Sequence, residues 1–246
     1  GIMEWIASSL QSLYPGSRIV VRPDERIAVK EGTDFSKVAK AYPSPDFIEI
    51  SENLLRMKVN LKTGHKTGFF LDQRENRLTL SQYCHGKEVL DCFCYTGGFS
   101  ISAMLAGAKS ASAIDLDEKA LETARENARL NSANVTFQHV NAFDHLRMMI
   151  SKGMQADIVI LDPAKLAGCT EEISRAHRTY GDINKLGMQV VSPGGILLTC
   201  SCSGLISDMD FLSILTRSAA EAGVVLQIFK LTGASPDHPF SSIFPE

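Results

Sequence analysis

From Leu80 onward, short apolar runs alternate with helical patterns, and few folds accommodate that alternation. The runs lie near residues 89–92, 112–115, 135–138, 158–161 and 196–199; helical patterns near 99–106, 118–131, 173–191 and 208–222 separate most of them. Short apolar strands joined through helices build a parallel sheet covered on both faces, an α/β architecture. Such sheets bind ligands outside the carboxyl ends of their strands. Asp91, Asp115, Asn141, Asp162 and the segment Cys200–Ser203 all stand at those ends.

The first strand–turn–helix unit is the most explicit. VLDCFCYTGGFSISAMLA (89–106) reads as an apolar strand, a Gly-Gly turn and the start of a helix. Gly97 and Gly98 accept backbone angles that other residues avoid, and without Cβ they let a ligand lie against the main chain. The helix opening near Phe99 points free amides into the same space. The glycine pair also suits simple chain reversal. Asp115 closes the next run, where nucleotide-binding units place an acid against ribose hydroxyls. The spacing is neither the dinucleotide fingerprint nor a P-loop, whose lysine is missing. A nucleoside-like cofactor without a triphosphate fits better.

Residues 1–70 read as a small α+β domain ahead of an α/β domain over 71–246. Glu4–Leu13 forms an amphipathic helix stopped by Pro15-Gly16, and strands are expected at Arg18–Val21, Arg26–Val29, Asp46–Ile50 and Leu54–Leu61. A further strand is expected at Val224–Phe229. On the helix over 118–131, Leu121, Ala124 and Ala128 share one face, with Glu122/Arg125 and Glu126/Arg129 pairing on the other. No apolar run approaches the roughly 18 residues of a membrane span, and the N-terminus does not read as a secretory signal. The Cys-x-Cys pairs Cys92/Cys94 and Cys200/Cys202 are poorly placed to bridge within a pair, which points to a reducing cytoplasm. Their spacing is not that of a zinc hairpin and no histidine completes one, so no metal is expected.

The net charge of −3 argues against strong non-specific nucleic-acid binding. Between Arg56 and Arg77, however, Arg56, Lys58, Lys62, Lys66, Arg74 and Arg77 face only Asp72 and Glu75, with Phe69 and Phe70 among them. This run is either a solvated charged face or a phosphate-facing rim. Asp162 ends the run IVILD and is followed by Pro163; it is either a loop cap or a site carboxylate held at the sheet edge. Cys202, in TCSCS, is either a small packed hydrophobe or a nucleophile whose thiolate needs a cationic neighbour, of which Lys165 is nearest in sequence.

GHKTGFFLDQRENR (64–77), VLDCFCYTGGFS (89–100), AIDLDEKALETARENARLN (113–131), ILDPAKLAG (160–168) and GGILLTCSCSG (194–204) together closely resemble the bacterial large-subunit ribosomal RNA methyltransferases that make 5-methylcytosine. These are class I S-adenosylmethionine-dependent methyltransferases with a Rossmann-like sheet, and the resemblance runs from about Leu54 to Pro245. It implies S-adenosylmethionine as cofactor, S-adenosylhomocysteine as product, no metal, and large-subunit ribosomal RNA rather than DNA or membrane as partner. The protein itself is then expected to be a cytoplasmic monomer or homodimer.

Residue by residue, the resemblance assigns the cofactor loop to Asp91, Phe93, Tyr95, Thr96, Gly97, Gly98 and Phe99. It assigns the ribose to Asp115 with Leu116 beside it, and the adenine to Asn141 and Ala142, where the family usually has an acid. Asp162 serves both cofactor and chemistry, and Cys202 matches the cysteine that attacks the pyrimidine. Gln73, Arg74 and Arg77 belong to the segment that closes over cofactor and substrate; Lys62, Lys66, Arg74 and Lys165 are expected to meet RNA. A neighbouring guanine-N7 group carries Asn-Asn where this chain has Ser-Cys-Ser, which favours cytosine. The family's double proline after the acid is Pro163-Ala164 here. Members often carry an N-terminal RNA-binding module ahead of the region matched, and a final antiparallel strand beyond its end. Two alternatives remain: a methyltransferase for another nucleobase or a protein, with Cys202 structural, and a non-enzymatic RNA-binding or ribosome-assembly protein.

Overall fold

The computed structural model describes residues 2–21, 29–30, 32, 40–43, 45–62, 64 and 68–238. The chain divides into two compact units, Gly1–Glu49 with Val59–Phe69, and Ile50–Lys58 with Phe70–Glu246. The first contains helix α1 (Ile2–Leu13), closed by Pro15 and by Gly16 at φ +82°. The strands β1 (Phe47–Glu52) and β2 (Leu55–Asn60) pair as a two-stranded sheet; a two-residue connection makes them antiparallel. Gly68, at φ +91°, brings its main chain so close to Asn60 that an added Cβ would stand 2.5 Å from the Asn60 carbonyl oxygen.

The second unit is a five-stranded, wholly parallel sheet of β3 (Glu88–Cys92), β4 (Ser110–Asp115), β5 (Val135–His139), β6 (Ala156–Leu161) and β7 (Val191–Thr199). The spatial order is β5-β4-β3-β6-β7. The chain starts in the middle, works outward to β5, then returns to lay β6 on the other side of β3. The crevice at that reversal, between the carboxyl ends of β3 and β6, is where open α/β sheets bind ligands.

Alternation along the strands feeds both faces. Leu90, Cys92, Val159 and Leu161 pack with Leu146, Met149 and Ile183 of α5 (Ala142–Ser151) and α6 (Ile173–Val190). Val89, Ile158 and Ile160 pack the opposite way with Leu80 of α2 (Arg74–Ser81) and with Phe99 and Ala103 of α3 (Gly98–Leu105). In α4 (Glu118–Leu130), Leu121, Ala124 and Ala128 are buried as expected; Asp117 caps the helix by accepting the Ala120 N–H. The final helix, α7 (Asp208–Ala222), opens on a Ser207/Asp210 capping box and closes on Gly223 at φ +71°.

Several expectations are corrected. Residues 18–21 are not in a strand, and the strand expected at 26–29 falls largely outside the described residues. Helices α2 and α5 were not foreseen. β7 begins at Val191, five residues before the strand expected near 196–199, and runs through Pro193-Gly194-Gly195. Gly195 permits this, since a Cβ there would meet the Asp157 and Ser192 carbonyl oxygens at 2.5 and 2.8 Å. Residues 224–229 form no strand either. Instead the stretch after α7 is held along α2 by side chains: Phe229 meets Tyr83 edge-on, Lys230 donates to Thr79 Oγ1 and Thr232 to Asn76 Oδ1. Glu126 pairs with Lys58 at 2.6 Å, not with Arg129. Among the described residues, no helix is long and apolar enough to cross a membrane.

Candidate active site

Asp91, next to last in β3, is almost wholly buried, 1% exposed. Its Oδ2 accepts the Ser100 backbone N–H at 3.0 Å, while its buried Oδ1 has no hydrogen-bond partner. Burial, reinforced by the charges of Asp162 and Asp115 and opposed by the Ser100 hydrogen bonds, pushes the carboxyl up to about 7. An unpartnered carboxylate oxygen in so dry a place is costly unless a ligand completes it. The loop that follows is strained at Phe93 and Tyr95, with φ +64° and +49°, whereas Gly97 takes φ +86° freely. Such conformations cluster where a backbone must be held for a ligand.

Gly97 heads α3, and a Cβ there would press on Ile101 at 3.1 Å and Phe137 at 3.3 Å. The Gly98 and Phe99 amides open the helix, where N–H groups lack intrahelical partners. Thr96 is buried, with its carbonyl accepting from Asn127 Nδ2 at 3.2 Å. Tyr95 stands edge-on to Phe70 at 5.3 Å.

At the end of β4, Asp115 holds two backbone amides at 2.8 Å, Tyr95 through Oδ2 and Asp117 through Oδ1. The acid therefore fixes both walls of the cleft and keeps further lone pairs for a diol. Exposed Leu116 lies beside it in an open groove with Asp117, Glu118, Lys119 and Glu122. Asn141 follows β5 as the N-cap of α5, accepting the Phe143 and Asp144 N–H groups; Ala142 is buried behind it. The Asn141 carbonyl oxygen is thus committed to the helix, and its amide N–H groups are what it can offer an adenine ring.

Asp162 follows β6. Gln73 Nε2 donates to its Oδ1 at 3.3 Å, and Gln73 Oε1 accepts from Asn76 Nδ2 at 2.7 Å and from the Cys200 thiol at 3.9 Å. Gln73, expected at the cofactor, here bridges Asp162 to the end of β7. Burial and the Asp162 charge push the Cys200 thiol well above its ordinary range. Cys202, by contrast, is exposed, and its thiol donates to the Pro163 carbonyl at 3.5 Å. The two cysteines occupy different environments because β7 ends at Thr199.

Arg77 is 3% exposed and forms a bidentate pair with Glu52, donating also to the Phe70 carbonyl at 3.0 Å. All three guanidinium nitrogens are engaged, and the group lies 5.9 Å from the Phe99 ring centroid. Arg74 pairs with Asp237 at 2.8 Å and Glu75 at 3.2 Å; Lys62 pairs with Asp46. Lys165 is exposed on the loop after Asp162, and Lys66 lies outside the described residues.

Sequence reasoning passed over Tyr180 and took Ser203 only as part of the segment Cys200–Ser203. The Tyr180 hydroxyl, fully buried, lies 3.1 Å from both Ser201 Oγ and Ser203 Oγ; Ser203 Oγ in turn accepts the Leu166 and Ala167 N–H groups. A tyrosine on the apolar face of a helix, opposite a serine-rich strand end, was the available signal. No group of three or more His, Cys, Asp or Glu side chains among the described residues is arranged to hold a metal.

An orphaned carboxylate, a glycine cradle and a doubly anchored ribose-type acid fit the cofactor expected from the sequence. Over 247 residues the chain is 41% identical to the ribosomal RNA large subunit methyltransferase I of Aeromonas salmonicida. It is also 41% identical over 246 residues to the protein of that name from Pseudoalteromonas atlantica. Each alignment covers 99% of this chain but 62% of the relative, so the chain spans under two thirds of their length. The fold resembles that of SMU.776, solved in complex with SAH, with a TM-score of 0.71, 24% identity, and 82% and 53% of the two chains covered. It also resembles the SAM-dependent methyltransferase from Agrobacterium tumefaciens, with a TM-score of 0.63, 20% identity, and 72% and 59% covered. Residues 39–241 match the S-adenosylmethionine-dependent methyltransferase family, and the chain belongs to that family.

Proposed function

We propose that this protein transfers a methyl group from S-adenosylmethionine to carbon 5 of a cytosine in 23S ribosomal RNA, in the cytoplasm. The observation that carries this reading is an exposed Cys202 just past the end of β7, beside the loop that follows Asp162. The name of the relatives, ribosomal RNA large subunit methyltransferase I, supports the acceptor.

The Asp91 carboxylate and the Gly98 and Phe99 amides would hold the amino-acid end of the cofactor, Asp115 its ribose, and Leu116 and Asn141 its adenine. Bound there, the cofactor supplies an electrophilic methyl group on a sulfonium. Carbon 5 of cytosine is too weak a nucleophile to accept it unaided. The Cys202 thiolate adds to carbon 6 and makes carbon 5 enamine-like, while Asp162 favours protonation of ring nitrogen 3. After carbon 5 is methylated, loss of its proton and expulsion of the Cys202 thiolate restore the aromatic ring. Gln73 holds one Asp162 oxygen and thereby the orientation of the carboxyl.

The target base must leave its stack to reach this crevice, which costs least in a loop or mismatch. Residues 1–70 and the basic run with Lys62, Lys66 and Arg74 would position RNA through phosphates, which fixes register but names no base. The test is bisulfite mapping of ribosomal RNA from cells with and without the gene, followed by treatment of the unmodified RNA with purified protein and labelled cofactor. One cytosine gained in vitro at the position lost in vivo supports the reading. Labelled protein with unlabelled RNA overturns it.

A further inference from the structure

Cys202 stands between two serines whose hydroxyls converge on one phenol. Tyr180, on α6 and 0% exposed, packs edge-on against Phe211 at 5.4 Å, so its ring has little freedom. Its oxygen lies 3.1 Å from Ser201 Oγ and 3.1 Å from Ser203 Oγ. Ser203, 2% exposed, accepts the Leu166 N–H at 3.0 Å and the Ala167 N–H at 3.1 Å. A serine hydroxyl has two lone pairs and one proton. Two amides bear on the Ser203 oxygen, and between Ser203 and Tyr180 either hydroxyl can be the donor. Ser201 donates to the Tyr180 oxygen.

The loop that follows Asp162 hangs on Ser203, Ser203 hangs on Tyr180, and Ser201 is pulled to the same point, with the Cys202 backbone strung between. Removing the phenol oxygen would leave the Ser201 proton without its acceptor and the buried Ser203 hydroxyl without its partner, and would free Ser203 to turn away from the loop amides.

We infer that Tyr180 is a positioning residue that sets the Cys202 thiol against the Asp162 loop by drawing Ser201 and Ser203 to one buried oxygen. The inference rests on the cytosine reading for its catalytic consequence, but not for its structural one. Tyr180→Phe keeps the ring and removes only the hydroxyl. Two measurements on the full chain test it: hydrogen exchange of the Leu166 and Ala167 amides, and the rate of covalent trapping on RNA containing 5-fluorocytosine at saturating cofactor.

The expected result is exchange about tenfold faster at both amides, as for the loss of one hydrogen bond. Trapping should slow by about tenfold to a hundredfold, as for a misplaced reacting group, with cofactor affinity unchanged. Ser203→Ala should act alike, and the double variant should trap no more slowly than the worse single variant, because the two residues share one network. Unchanged exchange in Tyr180→Phe overturns the inference whatever the substrate proves to be. Loosened amides with wild-type trapping overturn the positioning role, as do two single effects that multiply in the double variant. If the wild-type protein traps no RNA, the cytosine reading falls, and amide exchange alone then upholds or overturns the tether.

Discussion

The Asp91 carboxylate accepts the Ser100 backbone N–H through Oδ2 at 3.0 Å, while its other oxygen, Oδ1, is buried and has no hydrogen-bond partner. Burial pushes this group up to about 7, far above an ordinary aspartate. The folded cofactor-free protein therefore binds a proton that the unfolded chain has lost between about pH 4 and about pH 7. The stability this contributes is present below about pH 4 and lost as pH rises to about 7. A cationic amino group in the cleft favours the ionised carboxylate, so affinity for S-adenosylhomocysteine should rise between about pH 5.5 and pH 7.5, by up to about tenfold per unit. Calorimetry across that range checks this. Asp91→Asn should bind weakly and lose the pH dependence, whereas flat wild-type affinity would contradict the assignment.

Gly97→Ala should damage both fold and cofactor binding. A side chain at φ +86° costs about 1–2 kcal/mol, and its Cβ would also press on Ile101 and Phe137. Denaturant titration should show that loss, and cofactor affinity should fall with it. Wild-type affinity in a stable Ala variant would mean that the turn serves chain reversal alone.

The Arg77–Glu52 pair should behave as a buried ion pair rather than as a ligand contact. Side-chain exposures are 3% and 6%, so Arg77→Met leaves an uncompensated carboxylate and should cost about 3–5 kcal/mol. Adding Glu52→Leu should restore most of that stability. A double variant as unstable as the single one would show that Arg77 matters through other contacts.

Neutralising Lys62, Lys66 and Arg74 together should weaken RNA binding across sequences and flatten its dependence on salt. Lys62 and Arg74 already pair with Asp46 and Asp237, so phosphate must displace those partners. Filter-binding titrations over a range of salt would show it. Unchanged affinity and slope in the triple variant would leave the run as solvated surface.

What was legible in the sequence was local. VLDC, AID and IVILD announce strands because an apolar run ends on an acid that only a sheet edge tolerates, and the acids at those ends do gather along one edge of the sheet. Helix α2 escaped because RENRLTLS is mostly polar; Arg77 is buried only through Glu52, 25 residues earlier. Helix α5 was readable, since Asn141 is a strong N-cap residue followed by Leu146 and Met149 on one face, but Asn141 was weighed only as a ligand. The apolar run at 224–229 suggested a strand, yet composition alone supplies no ladder partner. Gln73, Tyr180 and Ser203 lie far in sequence from the groups they hold, so no spacing could reveal them.

The covalent mechanism is tested most directly by mass spectrometry of the protein after incubation with S-adenosylmethionine and large-subunit RNA containing 5-fluorocytosine. Fluorine at carbon 5 blocks the final elimination, so the protein should remain attached to RNA through Cys202 and only when cofactor is present. Cys202→Ala should give no adduct and no methyl transfer while binding cofactor normally, and Cys200→Ala should give the wild-type adduct. Methylated RNA without an adduct, or an adduct that maps to any residue other than Cys202, would contradict it.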